Sequence, residues 1–356
     1  MPVDTYLVTG GAGFIGSAVV RGLIASGTAR VVNVDKLTYA GNLDSLASVA
    51  ADSRYHFELA DIGDAQDMRR ILARYQPTGV LHLAAESHVD RSIDSPSDFV
   101  RTNVVGTFTL LSEAHRYWLS LDAAASERFR FLHVSTDEVF GSLGDTGVFT
   151  ESSPYNPSSP YAATKAAADH LARVWHRTYG LPVLIANCSN NYGPFQFPEK
   201  LIPLTLLNAL HGLPMPVYGR GEQVRDWLFV DDTVSALLAI LRRGRAGETY
   251  VVSAGEERRN IDVAWALCDL MDELRPRPLG GSRRALVEFV ADRPGHDQRY
   301  AIDASKLRAE LGWAPATAFD AALRATVEWY LTHESWWQRV RSGVYRGERL
   351  GLGAGT

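Results

Sequence analysis

The sequence has too few cysteines for a disulfide framework. Only Cys188 and Cys268 are present among 356 residues, and two cysteines have no metal-ligand spacing. The default expectation is therefore a reducing compartment. No apolar run is long enough to span a bilayer, and the residues before the strand-like segment 6–9 lack the basic and apolar parts of a secretory signal. These absences predict a soluble, cytoplasmic protein without a metal site or a membrane partner.

The sequence also lacks a strong excess of charge of either sign. Its formal net charge is -5 and its isoelectric point is about 6.1, which argues against a general nucleic-acid surface. Any phosphate must therefore be bound locally. With 46% hydrophobic and 22% charged residues, the chain is long enough for one large α/β domain or two unequal lobes that share a cleft.

The first half of the chain alternates short β-branched runs with longer helical patterns, which indicates a parallel sheet with helices on both faces. Strands are predicted at 6–9, 31–34, 55–59, 80–83, 131–135 and 183–186, with another near 250–252. The clearest helices are predicted at 99–117 and 160–179. Ser159 suits the N-cap of the second helix, Pro160 its first position and Gly180 its C-cap.

After Asn190 many prolines and glycines separate shorter elements, a texture typical of a ligand-binding surface. Helices are predicted at 230–243, capped by Asp231 or Asp232, and at 261–274 and 319–330. The predicted division is a first domain of 1–186 plus about 228–256, and a smaller substrate lobe of 187–227 and 257–333. Residues 346–356 are predicted to form a loose tail.

A glycine-rich turn directly follows the first predicted strand and opens a helix. Gly10, Gly13 and Gly16 would allow a tight turn, close approach to a pyrophosphate and close helix packing, and the helix N-terminus offers free N–H groups. Asp35 ends the next strand, 19 residues after Gly16, near the spacing of a carboxylate that binds ribose hydroxyls. The pattern predicts a dinucleotide site in a Rossmann-type, doubly wound parallel sheet with a smaller C-terminal α/β lobe.

Asp35 favours NAD over NADP, because a carboxylate there would repel a 2′-phosphate. The adjacent Lys36 leaves a minor dual preference open. Asp61 and Ile62 follow the third strand and are either an adenine contact or an ordinary turn.

Tyr161 and Lys165 lie four residues apart in a predicted helix, so both side chains can face one cleft. A tyrosine that acts as a base must lose a proton whose reference pKa is about 10, and a fall of roughly three units corresponds to about 4 kcal/mol. Lys165 and an oxidised nicotinamide are the expected sources of that stabilisation. The alternative is a packed tyrosine beside a solvated lysine.

Thr136, Asp137 and Glu138 follow the fifth predicted strand. Consecutive carboxylates in a continuing strand would point to opposite faces, so the backbone must leave extended geometry after Thr136 if both serve one substrate. One can then act as an acid and the other as a base, provided that their environments separate their pKa values. A solvated acidic turn is the alternative.

Eight segments together resemble one family, the dTDP-glucose 4,6-dehydratases of the extended short-chain dehydrogenase/reductase superfamily. The resemblance covers about residues 5–335, and the fourth, seventh and eighth segments discriminate the dehydratases from related sugar-nucleotide epimerases. The segments are TGGAGFIG at 9–16, DKLTYAGN at 35–42, AAESHVDRS at 84–92, STDEVFG at 135–141, SPYAATK at 159–165, NNYGP at 190–194, PEKLIP at 198–203 and DRPGHD at 292–297.

The resemblance implies an enzyme that converts dTDP-glucose into its 4-keto-6-deoxy product with tightly held NAD. It also implies a homodimer formed through helices 99–117 and 160–179, whose apolar faces could equally be internal core. Tyr161, with Lys165 and Thr136, would serve oxidation at C4, and Glu138 and Asp137 would serve elimination across C5 and C6. The implied cofactor contacts are Gly10, Gly13, Phe14, Ile15, Gly16, Asp35, Lys36, Thr38, Asp61, Ile62, Leu83, Ala85, Ser87, Thr102, Tyr161, Lys165 and Asn190. The implied substrate contacts are Ser87, Thr136, Asn190, Glu199, Lys200, Leu201, Pro216, Tyr218, Arg225, Asn260, Arg293 and His296.

Two residues depart from the family pattern. Asn187 stands where relatives often carry arginine, which leaves a sheet-edge interaction open, and Phe140 stands where many carry tyrosine. Three alternatives remain from the sequence: a sugar-nucleotide 4-epimerase or decarboxylase that uses the same Tyr161 and Lys165, a 4,6-dehydratase for another nucleotide sugar, and an NAD-binding scaffold without catalysis.

Overall fold

The structure is a computed structural model that describes residues 4–278 and 280–343. The predicted tail at 346–356 lies outside the described residues. The strands are β1 Asp4–Thr9, β2 Ala29–Asp35, β3 Tyr55–Leu59, β4 Gly79–His82, β5 Arg130–Thr136, β6 Val183–Cys188, β7 Asn190–Tyr192, β8 Met215–Tyr218, β9 Val224–Phe229, β10 Thr249–Val252, β11 Glu257–Arg259 and β12 Val287–Val290. The α-helices are α1 Phe14–Ala25, α2 Ala65–Tyr75, α3 Val89–Asp94, α4 Pro96–Phe99, α5 Thr107–Leu119, α6 Ala123–Arg128, α7 Pro160–Tyr179, α8 Leu201–His211, α9 Val230–Arg243, α10 Asn260–Leu274, α11 Ser305–Leu311, α12 Phe319–Thr332 and α13 Glu334–Gly343.

Seven strands form one sheet in the order β10-β6-β5-β4-β1-β2-β3. Every neighbouring pair in it is parallel. The chain reverses its direction of growth between β1 and β4, which makes the sheet doubly wound and opens a crevice at the strand carboxyl ends. All seven predicted strands are present, so the predicted fold class is confirmed.

Helix α7 has the ends that its sequence predicts. The Ala162 N–H donates to Ser159 Oγ at 3.1 Å, Pro160 is the first helical residue, and Gly180 closes the helix in a left-handed conformation with φ 77°. The correctly placed cap fixes Tyr161 one residue inside the helix start.

The predicted cap of α9 is wrong. Strand β9 runs into α9 without a loop, so Phe229 is the N-cap residue and no side chain caps the helix. Asp231 and Asp232 lie in the first turn, and the Asp232 carboxylate accepts hydrogen bonds from the backbone N–H groups of Ala316 and Thr317. Asp232 therefore binds a later segment rather than capping its own helix.

The predicted helix 99–117 is helical throughout but not uniform. Residues Val100–Gly106 form a π-helical segment between α4 and α5. Asn103 lies inside this segment and donates hydrogen bonds to the Glu86 carbonyl at 2.9 Å and to Thr164 Oγ1 at 3.0 Å. The segment thus ties the end of β4 to α7 beside Tyr161.

A second buried core lies away from the large sheet. It is built from α8, α10, α12 and α13 with the short sheets β11-β9-β7 and β12-β8, and it includes the fully buried Tyr330 and Trp337. Trp336 Nε1 donates to Ser45 Oγ, which joins α13 to the segment after β2. Among the described residues no helix is long and apolar enough to cross a membrane.

Candidate active site

The glycine-rich turn makes three different demands on its glycines. Gly10 has φ +72°, a conformation that L side chains rarely adopt. A Cβ on Gly16 would lie 2.0 Å from the Gly10 carbonyl oxygen, so only glycine allows this packing. A Cβ on Gly13 would meet only that same oxygen, at 3.3 Å. The protein itself therefore constrains Gly13 least of the three, since the Gly10 carbonyl need move only a few tenths of an ångström, and the Gly13 backbone borders a cavity at the start of α1.

Asp35 ends β2 and is buried beside this turn. Its carboxylate accepts hydrogen bonds from the backbone N–H groups of Ala12 at 3.0 Å and Leu37 at 2.8 Å. Lys36 is held by neighbours, because its Nζ donates to Thr102 Oγ1 at 3.1 Å and lies 3.3 Å from the Asp61 carboxylate. The carboxylate of Asp35, rather than the ammonium of Lys36, is thus the fixed feature at the end of β2.

The first cavity runs from the glycine-rich turn to the end of β5. It is lined by every predicted cofactor contact except Asp61: Gly10, Gly13, Phe14, Ile15, Gly16, Asp35, Lys36, Thr38, Ile62, Leu83, Ala85, Ser87, Thr102, Tyr161, Lys165 and Asn190. Asp61 turns its carboxylate to the Gly63 N–H at 2.8 Å and to Lys36. The structure thus brings these residues to one cavity, whereas Asp61 lies beside it and contacts the lining residue Lys36.

The backbone breaks out of the strand where the sequence predicts. β5 ends at Thr136, which caps a 3₁₀ turn formed by Asp137–Phe140, and Glu138 N donates to Thr136 Oγ1 at 3.3 Å. Gly141 ends the turn with φ +86°. Phe140 packs between Phe149 and Tyr155, so its ring belongs to the core behind the turn. Both carboxylates consequently line the first cavity.

The two carboxylates have unequal surroundings. Burial and the neighbouring charge of Glu138 raise the pKa of Asp137 well above its usual range. Burial also raises the pKa of Glu138, but the charges of Arg293, Lys200 and Arg225 lower it. The pKa of both carboxyl groups is therefore raised, and that of Asp137 is raised further because cations surround Glu138. The two environments thus differ in the sense that separate acid and base roles would require.

Tyr161 and Lys165 face the same cavity from α7, and both are buried. Lys165 Nζ donates to the Val134 carbonyl at 2.8 Å, and burial lowers its pKa to about 8. The pKa of Tyr161 is raised by burial and by the charge of Glu138, while a hydrogen bond with Thr136 lowers it. The lowered tyrosine pKa expected from the sequence is therefore not produced by the protein groups alone.

A second cavity adjoins the first and reaches into the other core. The remaining predicted substrate contacts line it: Leu201, Pro216, Tyr218, Arg225, Asn260, Arg293 and His296. Ser87 and Thr136 line the first cavity, whereas Asn190, Glu199 and Lys200 line both, together with Glu138. The structure thus brings all predicted substrate contacts to two joined cavities that meet at Glu138.

Several of these side chains are held by protein partners. Arg293 pairs with the Asp90 carboxylate, which also accepts from the Tyr218 hydroxyl at 2.8 Å. The Arg225 guanidinium lies over the Tyr300 ring, 4.3 Å from its centroid. Asp90 and Tyr300 line the second cavity and are absent from the predicted contacts. Asp90 belongs to the segment 84–92 that carries the family resemblance, so its position in that segment could have identified it as a site residue.

Glu199 and Lys200 join the two halves of the site. Glu199 accepts from Arg91 Nε at 3.0 Å and from the Tyr39 hydroxyl at 3.2 Å, and Lys200 Nζ donates to the Ser87 carbonyl at 2.9 Å. Tyr39 lies in the segment after β2, next to the lining residue Thr38. The start of α8 is therefore bound to the wall of the first cavity.

Polar atoms without protein partners mark where ligands would bind. Among the described residues, the side-chain oxygens of Asn190 and Asn260, one Asp137 oxygen and Arg293 Nε are buried and have no hydrogen-bond partner. Acceptors and a donor of this kind suit a polyhydroxylated, anionic ligand. No group of three or more metal-ligating side chains occurs among residues 4–278 and 280–343.

Comparison with known proteins gives the same family as these features. A family model described as GDP-mannose 4,6 dehydratase matches residues 7–326. A dTDP-glucose 4,6-dehydratase of Neisseria meningitidis serogroup B is 58% identical over 350 residues, covering 98% of this chain and 99% of the relative. The chain belongs to the dTDP-glucose 4,6-dehydratase family.

Solved structures of this family share the fold over nearly the whole chain. The dTDP-glucose 4,6-dehydratase of Bacillus anthracis in complex with NAD is 40% identical, with a TM-score of 0.84 and coverage of 95% of this chain and 99% of that one. The Streptomyces venezuelae enzyme, solved with NAD and a second ligand, is 46% identical with a TM-score of 0.86, covering 94% and 99%. The family's extended short-chain dehydrogenase/reductase fold is therefore that of this chain.

Proposed function

We propose that the protein dehydrates dTDP-D-glucose to dTDP-4-keto-6-deoxy-D-glucose with NAD as a tightly held cofactor. One observation carries the proposal. The acidic pair Asp137 and Glu138 lies in the same cavity as Tyr161 and Lys165, and Glu138 also borders the second cavity with its three cations. A hydride-transfer enzyme needs the second pair of residues only, whereas elimination of water needs the first as well.

The cofactor proposal is supported by the glycine-rich turn and Asp35. Gly13 leaves space for a pyrophosphate at the N-terminus of α1, and the buried Asp35 carboxylate suits ribose hydroxyls. When bound, NAD would accept a hydride from C4 of the sugar and return it at C6. The positive charge of its oxidised ring would also lower the pKa of Tyr161, which burial raises.

The side chains then have distinct proton roles. Tyr161 takes the proton of the C4 hydroxyl, and Lys165 supplies a positive charge near the ring. Glu138 removes the proton from C5, which the C4 ketone acidifies, while Asp137 gives its proton to the hydroxyl that leaves C6 as water. Glu138 returns a proton to C5 when C6 is reduced. The high pKa of Asp137 suits the acid, and the cations around Glu138 suit the base.

The second cavity is proposed to hold the nucleoside diphosphate. Arg225 and Arg293 provide planar guanidinium groups suited to phosphate oxygens. Asn190 and Asn260 provide unpaired amide oxygens. The choice of thymine as the base follows the family relatives. The base preference is tested by comparing turnover of dTDP-glucose, UDP-glucose, CDP-glucose, GDP-glucose and GDP-mannose.

We further propose a cytoplasmic homodimer formed through α5 and α7. Apolar side chains remain exposed on this face: Val100 and Val105 in the π-helical segment, Phe108 on α5, and Val174 and Tyr179 on α7. Both cysteines are free and buried, which suits a reducing compartment. Light scattering of the purified protein measures the mass, and Phe108→Glu should shift it toward the monomer.

Turnover of dTDP-glucose in heavy water tests the reaction itself. The wild type should form a 4-keto product with deuterium at C5. Asp137→Asn should lower product formation roughly hundredfold, because the acid is lost, while deuterium still enters C5 of the substrate through Glu138. Glu138→Gln should abolish both, and the exposed control Glu127→Gln should behave as wild type.

Other outcomes identify the alternatives. A C4-inverted sugar without a keto product would show a 4-epimerase, and loss of CO₂ from a uronic acid substrate would show a decarboxylase. A 4-keto product from another nucleotide sugar alone would keep the reaction and correct the substrate. No turnover with any of them would leave an NAD-binding scaffold.

A further inference from the structure

Asp169 is a buried carboxylate that the proposed reaction does not use. It lies on α7, one turn after Lys165, and is fully buried. It accepts hydrogen bonds from the Tyr155 hydroxyl at 2.6 Å and Asn187 Nδ2 at 3.0 Å, and it lies 3.1 Å from His133 Nε2. A carboxylate without exposed surface is costly unless it is well paired, so its position requires an explanation.

Asn187 links Asp169 to the catalytic turn. It lies on β6, an interior strand, opposite Ser135 of β5. Its Nδ2 group donates to the Thr136 carbonyl at 3.1 Å as well as to Asp169. Thr136 is the last residue of β5 and the cap of the turn that carries the acidic pair. The departure at 187 therefore does not concern a sheet edge, and the amide bridges a fixed anion to the point where the strand ends.

Asp169 also faces Lys165. Burial lowers the pKa of Lys165 to about 8, and the charge of Asp169 raises it. Burial opposes the charge of Asp169, but the hydrogen bond with His133, the charge of Lys165 and the Tyr155 hydroxyl hold its pKa at about 2. Asp169 is therefore an anion throughout the neutral range, opposite a lysine that is close to losing its proton.

The other titratable groups around Lys165 are neutral or positively charged, so Asp169 is the anion that faces it. His133 on β5 is kept neutral, because burial lowers its pKa to about 4, and its ring lies against that of His82 on β4. Arg173 on α7 donates to the Tyr155 hydroxyl. Burial raises the pKa of the Cys188 thiol on β6 to about 12, so this neighbour of Lys165 stays neutral as well.

We infer that Asp169 is a positioning residue. Its carboxylate holds the Thr136 carbonyl through Asn187, so that β5 turns at the residue where Asp137 and Glu138 must enter the cavity, and it places a buried negative charge one helical turn from Lys165. This inference rests on the proposed function, since it assigns work to the same turn and the same lysine.

Three variants separate the two actions. Asp169→Asn removes the charge at constant size, Asn187→Ala removes the bridge and keeps the charge, and Asp232→Asn is a control for loss of a buried, hydrogen-bonded carboxylate outside the site. For Asp169→Asn, kcat should fall about tenfold with KM nearly unchanged, and the alkaline limb of the kcat profile, set by Lys165, should move to lower pH. Asn187→Ala should lower kcat without moving that limb, and Asp232→Asn should lower only the melting temperature.

NMR of lysine labelled with ¹³C at Cε measures the pKa of Lys165 in the full chain without substrate, with Lys165→Arg assigning the signal. Asp169→Asn should lower this pKa, and Asp169→Glu should restore most of it. An unchanged pKa and alkaline limb in Asp169→Asn would overturn the inference, as would wild-type kcat in Asn187→Ala. Wild-type protein that turns over no sugar nucleotide would instead overturn the proposed function, and the NMR measurement would still test the pairing.

Discussion

Gly13→Ala separates the needs of the cofactor from those of the fold. Gly13 has φ -78° and ψ 179°, an extended conformation that alanine adopts freely. The added Cβ would meet one atom within 4 Å, the Gly10 carbonyl oxygen at 3.3 Å. Reduced freedom of the unfolded chain stabilises such a variant by about 0.4–1 kcal/mol, and the poorer N-cap offsets part of that gain. The free energy of unfolding should therefore change by less than about 1 kcal/mol.

The same methyl group would occupy the place where the backbone of Gly13 meets the first cavity. A pyrophosphate bound at the start of α1 would then be displaced from the N–H groups of the helix N-terminus. A loss of about 1.4 kcal/mol of binding free energy weakens the Kd tenfold. Gly16→Ala is the contrast, because its Cβ would lie 2.0 Å from a backbone oxygen. Overpacking of that kind costs about 1–3 kcal/mol or more.

The assay pairs thermal unfolding of the cofactor-free protein with calorimetric titration of NAD. Gly13→Ala should unfold near the wild-type temperature and bind NAD at least about tenfold more weakly. Gly16→Ala should unfold at a clearly lower temperature. Wild-type NAD affinity in Gly13→Ala would refute the assignment of this turn to the cofactor. A loss of stability equal to that of Gly16→Ala would refute the steric reasoning.

Two further substitutions test the walls of the cavities. Lys36→Ala should change the ratio of NADP to NAD affinity by no more than about twofold, because Asp35 would still repel a 2′-phosphate. Calorimetric titration with each cofactor measures this ratio. A larger change in the ratio would show that Lys36 sets the preference. Asp90→Asn should raise KM for the sugar nucleotide about tenfold with little change in kcat, because Arg293 loses the charge that orients it. The exposed control Asp98→Asn should leave KM unchanged, and equal KM values in the two variants would contradict the role of Asp90.

Local patterns of the sequence predict much of the fold. The seven strands of the large sheet were predictable because buried parallel strands are continuous β-branched runs. The ends of α7 were predictable because Ser159, Pro160 and Gly180 each act within a few residues of their own position. The break after Thr136 was predictable because two consecutive carboxylates can share a cavity only if the strand ends there.

Features that depend on distant partners were not predictable in this way. Asp232 has the sequence position of a cap, but it binds N–H groups more than eighty residues away in the chain. Asp61 follows a strand as a ligand contact would, yet its carboxylate binds Lys36. The contact between Asn187 and Asp169 joins two elements that only the sheet register brings together. The strands of the smaller sheets are three to six residues long, too short for a clear alternation.

The two carboxylates of the 3₁₀ turn are neighbours in the covalent chain, while Tyr161 comes from a separate helix. Their spacing is consequently set by the local backbone conformation of the turn and by their own rotamers, and a shift of one core against the other leaves it intact. In the proposed mechanism, replacement of these two adjacent residues removes the elimination step and retains the tyrosine and lysine. In the proposed mechanism the groups that expel water therefore lie on one short turn, separate from the helix that carries the hydride-transfer pair.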